Sequence, residues 1–138
     1  MASTLRLEIV TPEARAYSDD VEFVVLPAIE GEMGVYPQHV PLITQLHPGA
    51  LVVTNAGQQT ALAVGEGFVE ITAEKVSVIV DMALAESEID ESAAEEAIKR
   101  AEKRLKEEHL GDEESALVQA AIAKSMAQLH VKRRRRGV

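Results

Sequence analysis

GEMGVYPQHVPLITQLHPG, residues 31–49, is a set of short apolar runs punctuated by glycine and proline. Gly31 and Gly34 permit backbone angles with φ > 0, which predicts a tight loop at Gly31-Glu32-Met33-Gly34 rather than continuous strand. Pro37 and Pro41 fix φ and withdraw two N–H donors, so residues 37–40 cannot lie in the middle of a sheet. Residues 42–46 then read as a short strand, and Pro48-Gly49 as the turn that ends it. By spacing alone, this is a surface loop between two strands of a β domain and requires no ligand.

The flanks agree with a β domain. Residues 4–10 set Leu5, Leu7 and Ile9 on one face and Arg6 and Glu8 on the other, the period of a half-buried strand. Thr11-Pro12-Glu13 ends that strand, and Ser18-Asp19-Asp20 reads as a turn cluster. Residues 21–27 form a second strand, whose unbroken apolar run at 23–26 predicts burial on both sides. Downstream, residues 50–54 and 59–64 flank Asn55-Ala56-Gly57, a hairpin in which glycine supplies the positive φ. Gly65-Glu66-Gly67 breaks the chain again. In residues 68–72, Phe68, Glu70 and Thr72 alternate with Val69 and Ile71, and residues 75–80 complete a hairpin across Ala73-Glu74. Six or more strands in about eighty residues, with no helical period between them, predict an antiparallel sandwich or barrel.

At Ala83 the composition turns to Ala, Glu, Lys and Arg. Ser87 or Asp90 can cap a helix start, and Ala94, Ala97, Ile98, Ala101 and Leu105 recur at three- and four-residue steps. That helix is expected to stop at His109-Leu110-Gly111, with Gly111 in a left-handed C′ position. Asp112 is expected to cap a second helix. Its Ala116, Ala120, Ala123 and Ala127 make a small-residue stripe beside the larger Val118, Ile122, Met126 and Leu129, and Lys132, Arg133, Arg134, Arg135 and Arg136 close it. Two apolar faces with a short connection describe a helical hairpin, held less firmly than the sandwich because alanine buries little area. The fold is therefore α+β, an N-terminal antiparallel β-sandwich at residues 1–84 followed by a C-terminal α-helical hairpin at 85–138.

Composition bounds the chemistry. Aromatics are only 3%, so the core is built from Val, Leu, Ile and Ala. Residues 1–84 carry three basic against eleven acidic side chains, residues 85–131 six against twelve, and residues 132–138 five cations with no acid. The acidic body and scarcity of stacking rings disfavour nucleic acid as a partner. The absence of cysteine excludes disulfides and thiolate metal sites. No histidine pair has zinc spacing, no phosphate loop occurs, and no carboxylates are paired around a reacting bond, so neither cofactor nor catalytic residue is expected. No leader peptide or eighteen-residue apolar run is present, so any membrane association is expected through a partner. The basic run reads as a solvated helix end or as a docking patch for an acidic protein surface.

The pattern Gly31, Gly34, Pro37, His39, Pro41, Leu42, Pro48 and Gly49 resembles that of the epsilon subunit of rotary F-type ATP synthases. Thr11-Pro12, Asp19-Asp20-Val21, residues 65–71 (GEGFVEI) and Ile89-Asp90 extend the likeness over nearly the whole chain. The resemblance implies a non-catalytic central-stalk subunit whose sandwich grips the gamma subunit and the membrane c-ring, with Glu32 and His39 in the rotor-contact region. It further implies a hairpin that folds down on the sandwich or extends into the alpha/beta catalytic head, where Lys132, Arg133, Arg134, Arg135 and Arg136 would dock and hydrolysis would be blocked. The expected location is peripheral, on the cytoplasmic face of a bacterial plasma membrane, with the thylakoid stromal face as the alternative. Some members bind ATP through Ile-Asp, two residues, then Arg-Ala. Here Ile89, Asp90 and Ala94 match but Ala93 replaces the arginine, which removes a phosphate-fixing cation. A free-standing adaptor with a mobile hairpin is the competing reading.

Overall fold

The computed structural model describes residues 3–134. Ten strands, β1 (Leu5–Val10), β2 (Arg15–Val21), β3 (Phe23–Ala28), β4 (Gly31–Val35), β5 (Leu42–Leu46), β6 (Gly49–Asn55), β7 (Gln58–Val64), β8 (Gly67–Ile71), β9 (Lys75–Val80) and β10 (Ala83–Ala85), precede two helices. A 3₁₀ turn at Glu86–Glu88 leads into α1 (Glu91–Glu107), and α2 (Asp112–Arg133) follows. The sheet runs β10-β7-β6-β3-β5-β8-β9-β1-β2, with β4 pairing β3 outside that path. β3 joins the two halves: Val24 and Val25 pair with β6, while Ala28 pairs with Leu46 of β5.

Folding the halves over one another buries a single aliphatic core. On β1, Leu5, Leu7 and Ile9 are fully inside, and every other strand sends side chains to meet them, the short β10 only the half-buried Ala83. No polar or charged residue is buried among the described residues. The core therefore needs no internal hydrogen-bond network, and truncating a residue such as Leu7 to alanine is expected to cost about 2–5 kcal/mol.

Several expectations need correction. Gly31-Glu32-Met33-Gly34 is strand, not loop: the chain reverses earlier, at Ile29-Glu30, and Gly31 with φ of 125° enters β4. Gly34 lies within β4 because the Phe23 ring occupies the space where a Cβ would stand, 2.8 Å away. Ser18-Asp19-Asp20 belongs to β2, an edge strand whose charges face water, where polar residues guard the open edge. The strands are not all antiparallel, since β1 and β9 pair in parallel. That pairing joins the two ends of the β region and leaves no local turn signal.

The start of α1 is as expected, and the junction between the helices is not. Asp90 caps α1 by accepting the Ala93 N–H at 3.1 Å. Gly111 is not a left-handed C′ residue; its φ of −67° and ψ of 167° make it the N-cap of α2, and Asp112 is the first helical residue.

α2 packs on β6 and β7, and α1 packs on α2. Helical spacing puts Ala123, Ala127 and Val131 on one face of α2, and Val118, Ile122 and Leu129 on the opposite one. Val131 belongs to a second cluster with Ala63 and Ile89, so the small-residue face meets the sheet. Val118 shares a cleft with Ala101, so the larger face meets α1. The layer order is sandwich, α2, α1.

Candidate interaction surfaces

The first surface is the β3–β4 hairpin. Glu32 stands opposite Pro27 on β4, exposed, with no hydrogen bond or ion pair among the described residues. Beyond β4 the chain turns outward. Tyr36 stacks on Phe23, ring centroids 4.2 Å apart, and Pro37 and Pro41 bracket the segment between β4 and β5. Gln38 holds φ at 71°, a conformation sustained by its N–H bond to the Ala73 carbonyl at 2.8 Å. His39 Nδ1 lies 2.6 Å from the Val40 carbonyl oxygen. Glu32 therefore lies near the start of β4, about 10 Å of strand before Val35, and His39 lies in the turn segment that follows the strand.

The second surface is absent from the sequence reading. Pairing registers Val10 with Ile79, Ile79 with Phe68, and Phe68 with Gln45, so one row crosses four strands on the outside of the sandwich. Phe68 is 58% and Ile79 61% exposed, and Ile43, in the neighbouring row beside Glu70, is 68%. The available signal was Phe68 itself, which alternates onto the same face as Glu70 and Thr72. A phenylalanine on a polar strand face has no use in the core. At the far side of this face, Glu8 pairs with Lys75 at 2.7 Å and Arg15 at 3.4 Å. The Lys75 hydrogen bond is the main reason that the Glu8 carboxyl is held below its ordinary value.

The third surface is the end of α2. Lys132 Nζ donates to the Glu86 carbonyl at 3.1 Å, and Arg134 donates to Gln59 Oε1 at 3.2 Å. Arg133 pairs with Glu91 at 2.7 Å and also with Glu95. Arg135 and Arg136 lie outside the described residues. The two nucleotide candidates are structurally occupied: Ile89 is buried beside Ala63 and Val131, and the Asp90 carboxylate caps α1. Arg100 and Arg104 stand further along α1 than Ala93, the position that the resemblance would give to arginine. They lie roughly 15 and 21 Å along the helix from Asp90, and they pair with Glu96 and Glu108.

Among the described residues, no group of three His, Asp or Glu side chains is placed to hold a metal. What the geometry offers is a protein-docking module: an exposed hairpin tip, a braced loop and an apolar sheet face, with a helical layer on the other side. Residues 4–86 match the model of the ATP synthase delta/epsilon chain β-sandwich domain, and residues 87–133 that of the delta/epsilon chain long α-helix domain. The chain belongs to the ATP synthase delta/epsilon chain family.

Its relatives include the ATP synthase epsilon chain of Laribacter hongkongensis, 41% identical over 92% of this chain and 91% of that one. The epsilon chain of Chromobacterium violaceum is 42% identical with the same coverage of both chains. Among solved structures, a chain from the Euglena gracilis mitochondrial ATP synthase, OSCP/F1/c-ring, aligns with a TM-score of 0.75 at 22% identity. The match covers 90% of this chain and 78% of that one, and it bears on the fold alone.

Proposed function

We propose that this chain is the non-catalytic epsilon subunit of a bacterial rotary F-type ATP synthase, seated in the central stalk between the gamma subunit and the membrane c-ring. In this reading the sandwich, residues 1–84, binds the rotor and the helices regulate. The observation that carries the reading is the exposed Val10, Ile79 and Phe68 row. It is an apolar sheet face that no other part of the described chain covers, in a family whose relatives are named ATP synthase epsilon chains. The row fits gamma, since an apolar patch between charged margins is the usual centre of a protein interface. Glu32, at the hairpin tip, is assigned to the c-ring. His39, in the turn segment after β4, is assigned to the adjoining rotor contact.

The hairpin inhibits ATP hydrolysis by leaving the sheet and entering the alpha/beta head. Its support is the layer order: α1 touches the body mainly through α2, and α2 rests on alanines, so release breaks a low-area interface. No helix among the described residues is long and apolar enough to cross a membrane. In this reading membrane association is through the complex, on the cytoplasmic face. Reconstitution tests the whole reading. The chain should co-purify with gamma and c-ring, Phe68→Glu should abolish that assembly without unfolding the chain, and removal of the helices should raise hydrolysis. Failure to bind either rotor subunit would leave a free-standing adaptor instead.

A further inference from the structure

The α1–α2 hairpin is closed covalently at one end only, by residues 108–111. At the open end one side chain spans the gap. Arg133, in the last turn of α2, places Nε 2.7 Å from Glu91 Oε2, and a second guanidinium nitrogen bonds Glu95 Oε1. Glu91 and Glu95 are four residues apart, so their carboxylates project from one face of α1. A planar guanidinium with several fixed donors can hold both at once, which lysine cannot do with the same geometry. The neighbouring cations face elsewhere: Lys132 to the connector at Glu86, and Arg134 to Gln59 on β7. Arg133 joins helix to helix at this end.

The apolar contacts here are small. α1 is buried only at Ala94, and near this end the face of α2 toward α1 offers Leu129 as its one buried residue. Where burial contributes little, a pair of charged hydrogen bonds makes up a larger share of the closing free energy. These side chains remain 27–47% exposed, so salt screens them.

We propose that Arg133, by bridging Glu91 and Glu95, is a salt-sensitive clasp that sets how often the helical hairpin opens. The clasp is a property of this chain by itself and holds whichever partner the sandwich binds. It assigns Arg133 to the closed arrangement, so an acidic partner that captured this arginine would first have to displace two carboxylates.

Hydrogen exchange on the full-length chain tests it, with peptides from α1 and α2 as the readout and β8–β9 as the internal reference. Arg133→Gln should speed α1 exchange roughly two- to fivefold, the range for a screened pair, and leave β8–β9 unchanged. Raising salt from ~0.05 to ~0.5 M should speed wild-type α1 in the same way and have little effect on the variant. Arg133→Glu should open the hairpin further, and Arg133→Glu with Glu95→Arg should recover most of the loss. Unchanged α1 exchange in Arg133→Gln, an equal salt response in both proteins, or no recovery in the charge swap would each overturn the clasp.

Discussion

A Cβ built on Gly67 would lie 1.9 Å from the Ile79 carbonyl oxygen and 2.8 Å from the Val80 Cα, both main-chain atoms of β9. Gly67→Ala must therefore push β8 away from β9, and a loss of about 3 kcal/mol is expected, read as a fall in melting temperature of roughly 10 °C. Glu32→Ala is the opposite case. Its carboxylate is exposed and unpartnered among the described residues, so stability should change by less than about 0.5 kcal/mol, while coupling of hydrolysis to ion transport weakens. If the variant melts early but assembles normally, the hairpin tip is a structural corner. Glu8 gives a pH signature. Its folded value is lowered chiefly by the Lys75 hydrogen bond, so its stabilisation is fully present above the ordinary glutamate value of 4.5 and is lost as pH falls through the lowered one. The stability difference between wild type and Glu8→Gln should thus be constant near neutrality and vanish in acid, as equilibrium unfolding across pH 2–7 would record. Glu32 and His39 were singled out by the family resemblance and not by the spacing of the stretch, and their rotor contact is a proposal. The Phe68 and Ile79 surface was not, because its members come from separate strands and only pairing aligns them.

Proline and alternation made the elements legible where the decisive physics is local. Pro37 and Pro41 correctly kept residues 37–40 out of the sheet, and β5 spans residues 42–46 as read. Glycine was the ambiguous letter. At Gly31 it supplies a positive φ, at Gly34 it clears room for the Phe23 ring, and at Gly111 it opens a helix rather than ending one. Three physical demands share one residue type, and neighbours in space decide among them. The hairpin at Ala56-Gly57 adds a fourth lesson, because both residues hold positive φ, 52° and 78°, and not glycine alone. The Ala56 N–H donates to Glu22 Oε1 at 2.7 Å, and Asn55 donates to the Asp20 carbonyl at 3.1 Å, so long-range bonds hold a turn that alanine disfavours. At the start of α2, Gly111 has an ordinary φ and nothing within 4 Å of a built Cβ. Gly111→Ser should therefore supply the missing side-chain cap and slow exchange in the first turn of α2, stabilising it by about 0.5 kcal/mol. Faster exchange there would mean that the linker needs glycine for motion.

The whole chain poses a question of sign at its basic end. The proposed docking on the catalytic head would use the cations of residues 132–136, whereas the proposed clasp uses one of them, Arg133, so the two favour opposite states, and only the difference between states moves an equilibrium. Lys132, Arg133 and Arg134 already have partners in the closed arrangement. Neutralising them removes closed-state contacts as surely as it removes contacts with the head. Arg133→Gln alone should deepen inhibition of ATP hydrolysis in the assembled enzyme, by up to the two- to fivefold change in hairpin opening expected for a screened pair. Replacing Arg135 and Arg136, which lie outside the described residues, with glutamine should relieve inhibition, because the proposed docking on the head uses them. Replacing all four arginines should fall between the two. Salt then separates the contributions: in wild type it weakens both contacts, so inhibition changes little between ~0.05 and ~0.3 M. In Arg133→Gln only docking remains to be screened, and inhibition should fade. Relief of inhibition by Arg133→Gln would show that its contact with the head outweighs its hold on Glu91 and Glu95, and would place the closing free energy on the alanine face of α2 instead.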